Sequence, residues 1–263
     1  MSNDEGSIST EVRDHLYLIG LNRPEKYNGY TPTMARQLAE AMTRLDMDSE
    51  LRVGVLFAHG KHFTAGLDMP KWVESMTKSA EEETPTNELV DVAGLGRACR
   101  KPIVTAVKGI TYTIGIELAI AGDIVIAADN ARFSQLEPKR GIHATAGATI
   151  RFVQRCGWGN AMYHLLTSDE FDAAEAYRIG LVQEVVPLGD ELDRAIQVAE
   201  QIAKCAPLAV QETKASSRRF VVNGFDAAVS EMDKIQAMLA ATEDAEEGVK
   251  SFVERRAAEF KGR

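Results

Sequence analysis

Three short runs, Val53-Gly54-Val55-Leu56-Phe57-Ala58, Ile103-Val104-Thr105-Ala106-Val107 and Ile124-Val125-Ile126-Ala127-Ala128, constrain this chain more than any other feature. A strand with one wet face alternates polar and apolar residues, and these runs do not alternate. They therefore read as strands covered on both faces, which requires other layers of structure above and below them. Helical patterning separates them. Met34, Leu38, Ala41, Met42 and Leu45 recur at helical spacing behind Pro32, which predicts a helix over 33–47. The fold expected is α/β.

The remaining elements follow from the same periodicities. A strand over 15–21 ends at the turn signal Asn22-Arg23-Pro24. Residues 71–88, with Glu81-Glu82-Glu83 and Pro85, show no clean period and read as a mobile connection or lid. Helical patterning resumes over 88–100 and stops at Lys101-Pro102; residues 115–121 read as a helix and 131–134 as extended chain. From Ala144 helices dominate, over 145–155, 160–167 and 172–179, the last capped by Asp172. After a late strand over 181–186 come helices near 189–204, 207–222 and 225–240. A final helix is opened by Thr242, with Glu243, Asp244, Glu246 and Glu247 in its first turns, where negative charge suits the helix dipole.

Several functions are excluded by what the chain lacks. Thirty Lys and Arg against 39 Asp and Glu give a net charge of -9, which works against a broad nucleic-acid surface while leaving room for a small anion held by local cations. Cys99, Cys156 and Cys205 are widely spaced with no CxxC, as in a reduced cytoplasmic protein. The first residues are acidic and polar, unlike a secretory signal, and the most apolar stretch, 114–128, carries Glu117 and Asp123 and is too short to cross a membrane. No GxxxxGK[ST], GxSxG or HExxH is present, and Gly94-Leu95-Gly96 lacks the third glycine of a dinucleotide fingerprint. His59 and His62 form an HxxH pair in a glycine-rich loop, a poor metal cage, and read as solvated histidines; no metal is expected.

Two segments are suited to presenting backbone N–H groups to a ligand: Phe63-Thr64-Ala65-Gly66-Leu67-Asp68, leaving a buried strand, and Gly115-Ile116-Glu117-Leu118-Ala119, opening a helix. Fixed dipoles of this kind stabilise a developing oxyanion without reorganisation. Each segment on its own is more often simply a turn packed on a core. Glu117 lies in an apolar neighbourhood where an ionised side chain is costly unless paired or hydrogen-bonded, and Glu137 sits between a strand and Pro138. Two carboxylates sharing a water are a route to general acid and base catalysis.

Taken in order, these residues resemble the crotonase, or enoyl-CoA hydratase/isomerase, superfamily. The likeness rests on Asn22-Arg23-Pro24-Glu25-Lys26-Tyr27-Asn28, on His62-Phe63-Thr64-Ala65-Gly66-Leu67-Asp68-Met69, and on Lys101-Pro102-Ile103-Val104-Thr105-Ala106-Val107-Lys108-Gly109 running on to Gly115-Ile116-Glu117-Leu118-Ala119. Phe133-Ser134-Gln135-Leu136-Glu137, Ala173-Ala174-Glu175-Ala176, Gly180-Leu181-Val182 and Phe260-Lys261-Gly262 follow in the family's order, so the likeness covers nearly the whole chain.

The resemblance implies a crotonase-like spiral core of repeated ββα units over 1–200 and a helical C-terminal oligomerisation region over 201–263. It implies an enoyl-CoA hydratase, adding water reversibly to a 2-enoyl-CoA through an enolate. Glu117 and Glu137 would be the catalytic carboxylates, and the N–H groups of Ala65 and Ile114 the oxyanion hole. Lys26, Tyr27 and Lys61 would lie along the CoA moiety, with Gly66, Asp68, Met69 and Gly115 in the same contact and Lys261 reaching a neighbouring subunit's adenosine phosphate in a homotrimer or dimer of trimers. No resident cofactor is implied, since coenzyme A enters with the substrate. Thr113-Ile114-Gly115 replaces a glycine-rich stretch, and Gly141-Ile142-His143-Ala144-Thr145-Ala146-Gly147 a segment that commonly carries proline and paired glycines. His143 reads either as an acyl contact or as structural, and Trp72 and Met76 either close over the acyl chain or cover core. The alternatives are an isomerase, decarboxylase or hydrolase on the same scaffold, or a non-catalytic, RNA-binding relative, which the acidic charge disfavours.

Overall fold

The computed structural model describes residues 4–78 and 88–263, and within 74–78 the backbone alone. A six-stranded sheet in the order β1-β2-β3-β4-β6-β9 forms the centre. It comprises β1 (Ser7–Arg13), β2 (Leu16–Asn22), β3 (Val53–Ala58), β4 (Ile103–Val107), β6 (Ile124–Ala128) and β9 (Glu184–Val186). All neighbours pair in parallel except β1, which runs antiparallel along β2 from Ser7↔Asn22 to Arg13↔Leu16. A three-stranded sheet, β5 (Ile110–Tyr112), β7 (Arg132–Ser134) and β8 (Phe171–Asp172), forms a second layer.

The unbroken apolar runs are buried on both faces, as read from the sequence. Leu16, Leu18, Val53, Val55, Val104, Ala106 and Ile126 enter one core with Ala195, Ile196 and Ala199 of α6 (Glu191–Ala203), while Tyr17, Ile19, Leu56, Val107, Val125 and Ala127 enter a second. The second core also holds Met34, Leu38 and Leu45 of α1 (Pro32–Met47) and the inward residues of α3 (Ile114–Ala121). Full burial of a side chain of this size stabilises by about 1.5–3 kcal/mol, which makes the central strands the anchor for the loops that leave them.

The chain climbs through these layers in a repeat. Strand β4 in the large sheet passes to β5 in the small one and then to α3; β6 passes to β7 and on to α4 (Ala148–Thr167). Strand β3 leads in the same way to a bridge between Thr64 and Thr111 and on to α2 (Met69–Lys78). These are the ββα turns of the crotonase-like spiral. The chain continues through α5 (Ala173–Arg178), β9 and α6 to the tail helices α7 (Pro207–Asn223), α8 (Phe225–Val229), α9 (Met232–Ala240) and α10 (Glu243–Glu254). Arg52 ties the tail back by donating to the carbonyls of Ala203 (2.9 Å) and Phe260 (2.6 Å).

Several expectations need correction. Residues 88–100 are turns and bends rather than a helix. The Asp91 carboxylate folds the chain back by accepting the N–H groups of Ala93, Leu95 and Gly96, at 2.9, 2.9 and 2.7 Å, an arrangement that competes with helix. Residues 71–78 are helical, whereas Glu81-Glu82-Glu83, Pro85 and the side chain of Met76 lie outside the described residues. The two helices expected over 145–155 and 160–167 do form, as the two halves of α4 on either side of a kink at the non-helical Gly157 (φ 73, ψ 164). The helix expected over 225–240 is two, α8 and α9. Asp172 and Thr242 do cap α5 and α10, accepting from Glu175 and Ala245. Among the described residues no helix is long and apolar enough to cross a membrane.

Candidate active site

The small sheet gathers the site. Its parallel pairing sets Tyr112 beside Ser134, and Thr113 N–H donates to the Ser134 carbonyl at 2.9 Å. The Thr64–Thr111 bridge adds a third parallel segment, with Thr64 N–H donating to the Ile110 carbonyl and Tyr112 N–H to the Thr64 carbonyl, both at 3.1 Å. Residues 65–67, 113–117 and 135–137 therefore leave one sheet edge side by side. Close packing holds them there: a Cβ on Gly66 would lie 2.6 Å from Thr113 Oγ1, and one on Gly115 2.7 Å from Thr64 Cγ2. Both glycines are required by this approach.

The backbone donors at that edge can be assigned one by one. Ile114, the first residue of α3, has no acceptor for its N–H among the described residues. Ala65 does not fit its expected part, because its N–H donates to the Tyr27 carbonyl at 3.0 Å. Two residues on, the pattern favours Leu67. It bridges Tyr30 in parallel, where Tyr30 N–H donates to the Gly66 carbonyl and Asp68 N–H to the Tyr30 carbonyl, leaving the Leu67 N–H pointing away from that partner and without an acceptor among the described residues. Thr113, just before Ile114, is held at φ 51, ψ -116, a region costly for a β-branched residue by about 1–3 kcal/mol. Its carbonyl accepts from Ile116 and Glu117, so the strained residue starts α3 and aims Ile114.

Glu117 is 3% exposed, and its carboxylate accepts the N–H of Ala148 at 3.0 Å, at the N-terminus of α4. Burial raises its carboxyl above the usual range, opposed by the N–H groups of Ala148 and Ala146 and by the Arg151 charge. Glu137 stands on the facing segment, half-buried. Burial pushes its carboxyl up to about 7, with a bond from its own N–H working the other way and the Glu117 charge adding to the rise. The buried Gln135 amide, its nitrogen turned toward Glu137, donates to both carboxylate oxygens at 2.9 and 3.3 Å. Two carboxylates thus feel each other across a space flanked by unspent N–H groups. Gln135 carries no sequence signal of its own beyond lying two residues before Glu137, just after β7 ends at Ser134.

The residues expected along CoA form a patch beside this edge. Lys26, Tyr27 and Lys61 are exposed, Tyr27 lies in the left-handed region (φ 52) with its ring 5.1 Å from that of His62, and buried Asn28 joins the two turns. Its amide donates to the carbonyls of His59 (2.9 Å) and His62 (2.8 Å). Asp68 is engaged by Arg23 at 2.7 Å, while Met69 is half exposed at the start of α2. His59 and His62 are partly buried rather than solvated: His59 bonds Ser9 Oγ at 2.7 Å and His62 Nδ1 accepts the Ile110 N–H at 3.1 Å. Among the described residues no metal-ligating cluster forms. Trp72 donates to the Tyr30 carbonyl at 2.8 Å and stacks on Tyr30, so it covers core, and His143 is exposed. Lys261 is not brought into the Glu117 neighbourhood by its own chain. It lies on the tail, where buried Asp244 accepts the N–H groups of Lys261 (2.6 Å) and Gly262 (2.8 Å).

Comparison with known proteins agrees with this geometry. A family described as "Enoyl-CoA hydratase/isomerase" matches residues 11–263. The chain is 31% identical to the 2,3-dehydroadipyl-CoA hydratase of Escherichia coli, over 95% of this chain and 97% of that protein. It is 30% identical to the enoyl-CoA hydratase EchA19 of Mycobacterium tuberculosis, covering 96% of each. A probable enoyl-CoA hydratase/isomerase from Mycobacterium abscessus superposes with a TM-score of 0.92 at 44% identity, over 97% of this chain and 98% of that one.

Proposed function

The chain belongs to the enoyl-CoA hydratase/isomerase family, and on that premise we propose that it hydrates 2-enoyl-CoA thioesters. The observation that carries the reading is the pair Glu117 and Glu137, facing each other beside the free N–H groups of Leu67 and Ile114. The thioester oxygen sits between those two donors. Water adds its oxygen to the β-carbon while Glu117, fixed by Ala148, takes the water's proton; electrons move into the enolate, and Glu137 delivers a proton to the α-carbon. A carboxyl near 7 is suited to giving and retaking that proton at neutral pH. One oxyanion-hole donor of this kind is worth about 10²–10³ in rate.

The patch of Lys26, Tyr27 and Lys61 supplies the local cations and aromatic surface for CoA, and coenzyme A arrives with the substrate rather than as a resident cofactor. The net charge of -9 supports a small-molecule rather than a nucleic-acid partner. Exposed apolar side chains on the tail, Phe225, Val249, Phe252 and Val253, and on α4, Trp158, Tyr163 and Leu166, support a homo-oligomer, a trimer or dimer of trimers, in which Lys261 serves a neighbour's CoA. Residues 201–263 are the oligomerisation region in this reading, residues 1–200 the acyl-CoA-binding core, and the cytoplasm the compartment.

Loss of enoyl-thioester absorbance with short, long, branched and aromatic 2-enoyl-CoA esters tests the activity, with Glu137→Gln as control. Turnover that depends on Glu137 supports hydration. Esters that bind without hydration would instead indicate isomerase, decarboxylase or hydrolase chemistry.

A further inference from the structure

A cleft of about 1320 Å³ opens one helical turn beyond Glu117. Ile120 and Ala121 of α3 and Ile150 and Arg151 of α4 line its near end, Val90 and Leu95 one wall, and α7 the other. Arg151 brings this cleft close to the carboxylates, since it lies one turn along α4 from Ala148 and its charge reaches Glu117.

The walls are largely apolar, yet two guanidinium groups meet inside. A Cβ on Gly94 would lie 3.0 Å from Arg151 Nη2 and 3.9 Å from Arg218 Nη1. Arg218 donates to the Gly94 carbonyl at 2.7 Å, whereas Arg151 makes a single long bond, 3.4 Å, to the Ala146 carbonyl. Neither is in a salt bridge among the described residues. The nearby Asp91 carboxylate is committed to the N–H groups of Ala93, Leu95 and Gly96. The other cations of the cleft are occupied: Lys214 pairs with Asp123 at 2.7 Å, and Arg155 donates to the carbonyls of Ile120 (3.1 Å) and Gly122 (2.5 Å). Burial and the Arg218 charge weigh against the charged form of Arg151 while the Asp91 and Glu117 charges favour it, and among the described residues neither carboxylate is hydrogen-bonded to it.

We propose that Arg151, assisted by Arg218, binds a carboxylate carried by the acyl group beyond its reacting double bond, so that the substrate class is the CoA monothioester of an unsaturated dicarboxylic acid. The inference rests on the hydratase reading and deepens it. The planar guanidinium takes a carboxylate through two parallel bonds, its unspent donors need no prior partner to be displaced, and the apolar walls accept the intervening carbons. A methyl-terminated acyl group offers nothing to the two cations and leaves them poorly solvated.

The test compares 2-enoyl-CoA esters of equal length that end in carboxylate or methyl, using wild type, Arg151→Met and Arg218→Met. The expected result is a kcat/KM ratio favouring carboxylate by about 10- to 100-fold in wild type. The ratio should collapse toward one in Arg151→Met and fall part-way in Arg218→Met. A wild-type ratio near or below one, or an unchanged ratio in Arg151→Met, overturns the assignment while leaving hydration intact. If no ester turns over, the hydratase reading fails instead. Equilibrium binding of the saturated pair, carboxylate- against methyl-terminated, then decides the Arg151 site: preference lost in Arg151→Met upholds it, and equal binding overturns it.

Discussion

The Glu117 carboxylate closes on the backbone N–H of Ala148 at 3.0 Å, joining the start of α4 to the buried face of α3. The Ala148 bond fixes one oxygen by structure, and the Ala146 N–H also acts on the carboxylate. The bond is available equally to an amide oxygen, which separates the structural part of Glu117 from its proposed chemical part.

Glu117→Gln should therefore keep stability within about 1 kcal/mol of wild type, since the Ala148 N–H retains an acceptor. Glu117→Leu leaves that buried N–H unpaired and should cost about 1–3 kcal/mol. Denaturant unfolding of the three proteins checks this; equal stability of the leucine and glutamine variants would contradict the anchoring role.

The Glu137 carboxyl, raised from 4.5 to about 7, makes the folded state bind more protons than the unfolded chain between those values. Its contribution to stability consequently falls as pH rises from about 4.5 to about 7 and stays lost above. Glu137→Gln removes that dependence, so relative to wild type it should gain about 1–3 kcal/mol between pH 5 and pH 8. Hydration, which in the proposed mechanism uses the protonated form, should weaken above pH 7. Thermal melts across this range and the pH profile of kcat/KM check both; a pH-independent stability difference would place Glu137 in ordinary solvent.

Gly66 lies at φ 117, and a methyl there would meet Thr113 Oγ1 at 2.6 Å. Gly66→Ala should lose about 1–3 kcal/mol and most activity, because it pushes Leu67 and Ile114 apart. Adding Thr113→Gly, which removes the opposing hydroxyl and the strain at φ 51, should restore part of both. Additive losses in the double variant would show that the two segments do not press on each other.

Phe252 is 85% exposed on α10. Phe252→Glu should shift the protein toward monomer in sedimentation velocity if that face is covered in the oligomer, with the fold kept by circular dichroism. An unchanged oligomer would move the interface elsewhere.

Much of this architecture is legible in the residues, for identifiable reasons. Val53–Ala58, Ile103–Val107 and Ile124–Ala128 match the observed strands because a run without alternation can lie only between two layers. The edge strand Ser7–Arg13 is hidden because its residues are polar toward solvent, and Ile110–Tyr112 because three residues carry no period. Residues 88–100 have helical composition that Asp91 overrides through three local bonds. Glu117 and Glu137 stand out as carboxylates in unusual surroundings, but their meeting depends on the pairing of Tyr112 with Ser134, a long-range register. The direction of an N–H along an extended segment reverses with each residue, so Ala65 and Leu67 are separable only once the bridge to Tyr30 is known. Arg151 escapes sequence reading because nothing local tells an unpaired arginine from a paired one.

In the proposed reaction Glu117 and Glu137 act together on an enoyl thioester, which single-variant kinetics on a hydrated ester, with CoA-ester affinity measured alongside, put to the test. Glu117→Gln and Glu137→Gln should each lower kcat by about 10²–10⁴ while affinity changes little, because the backbone donors and the CoA patch remain. Turnover near wild type in both variants would contradict the claim.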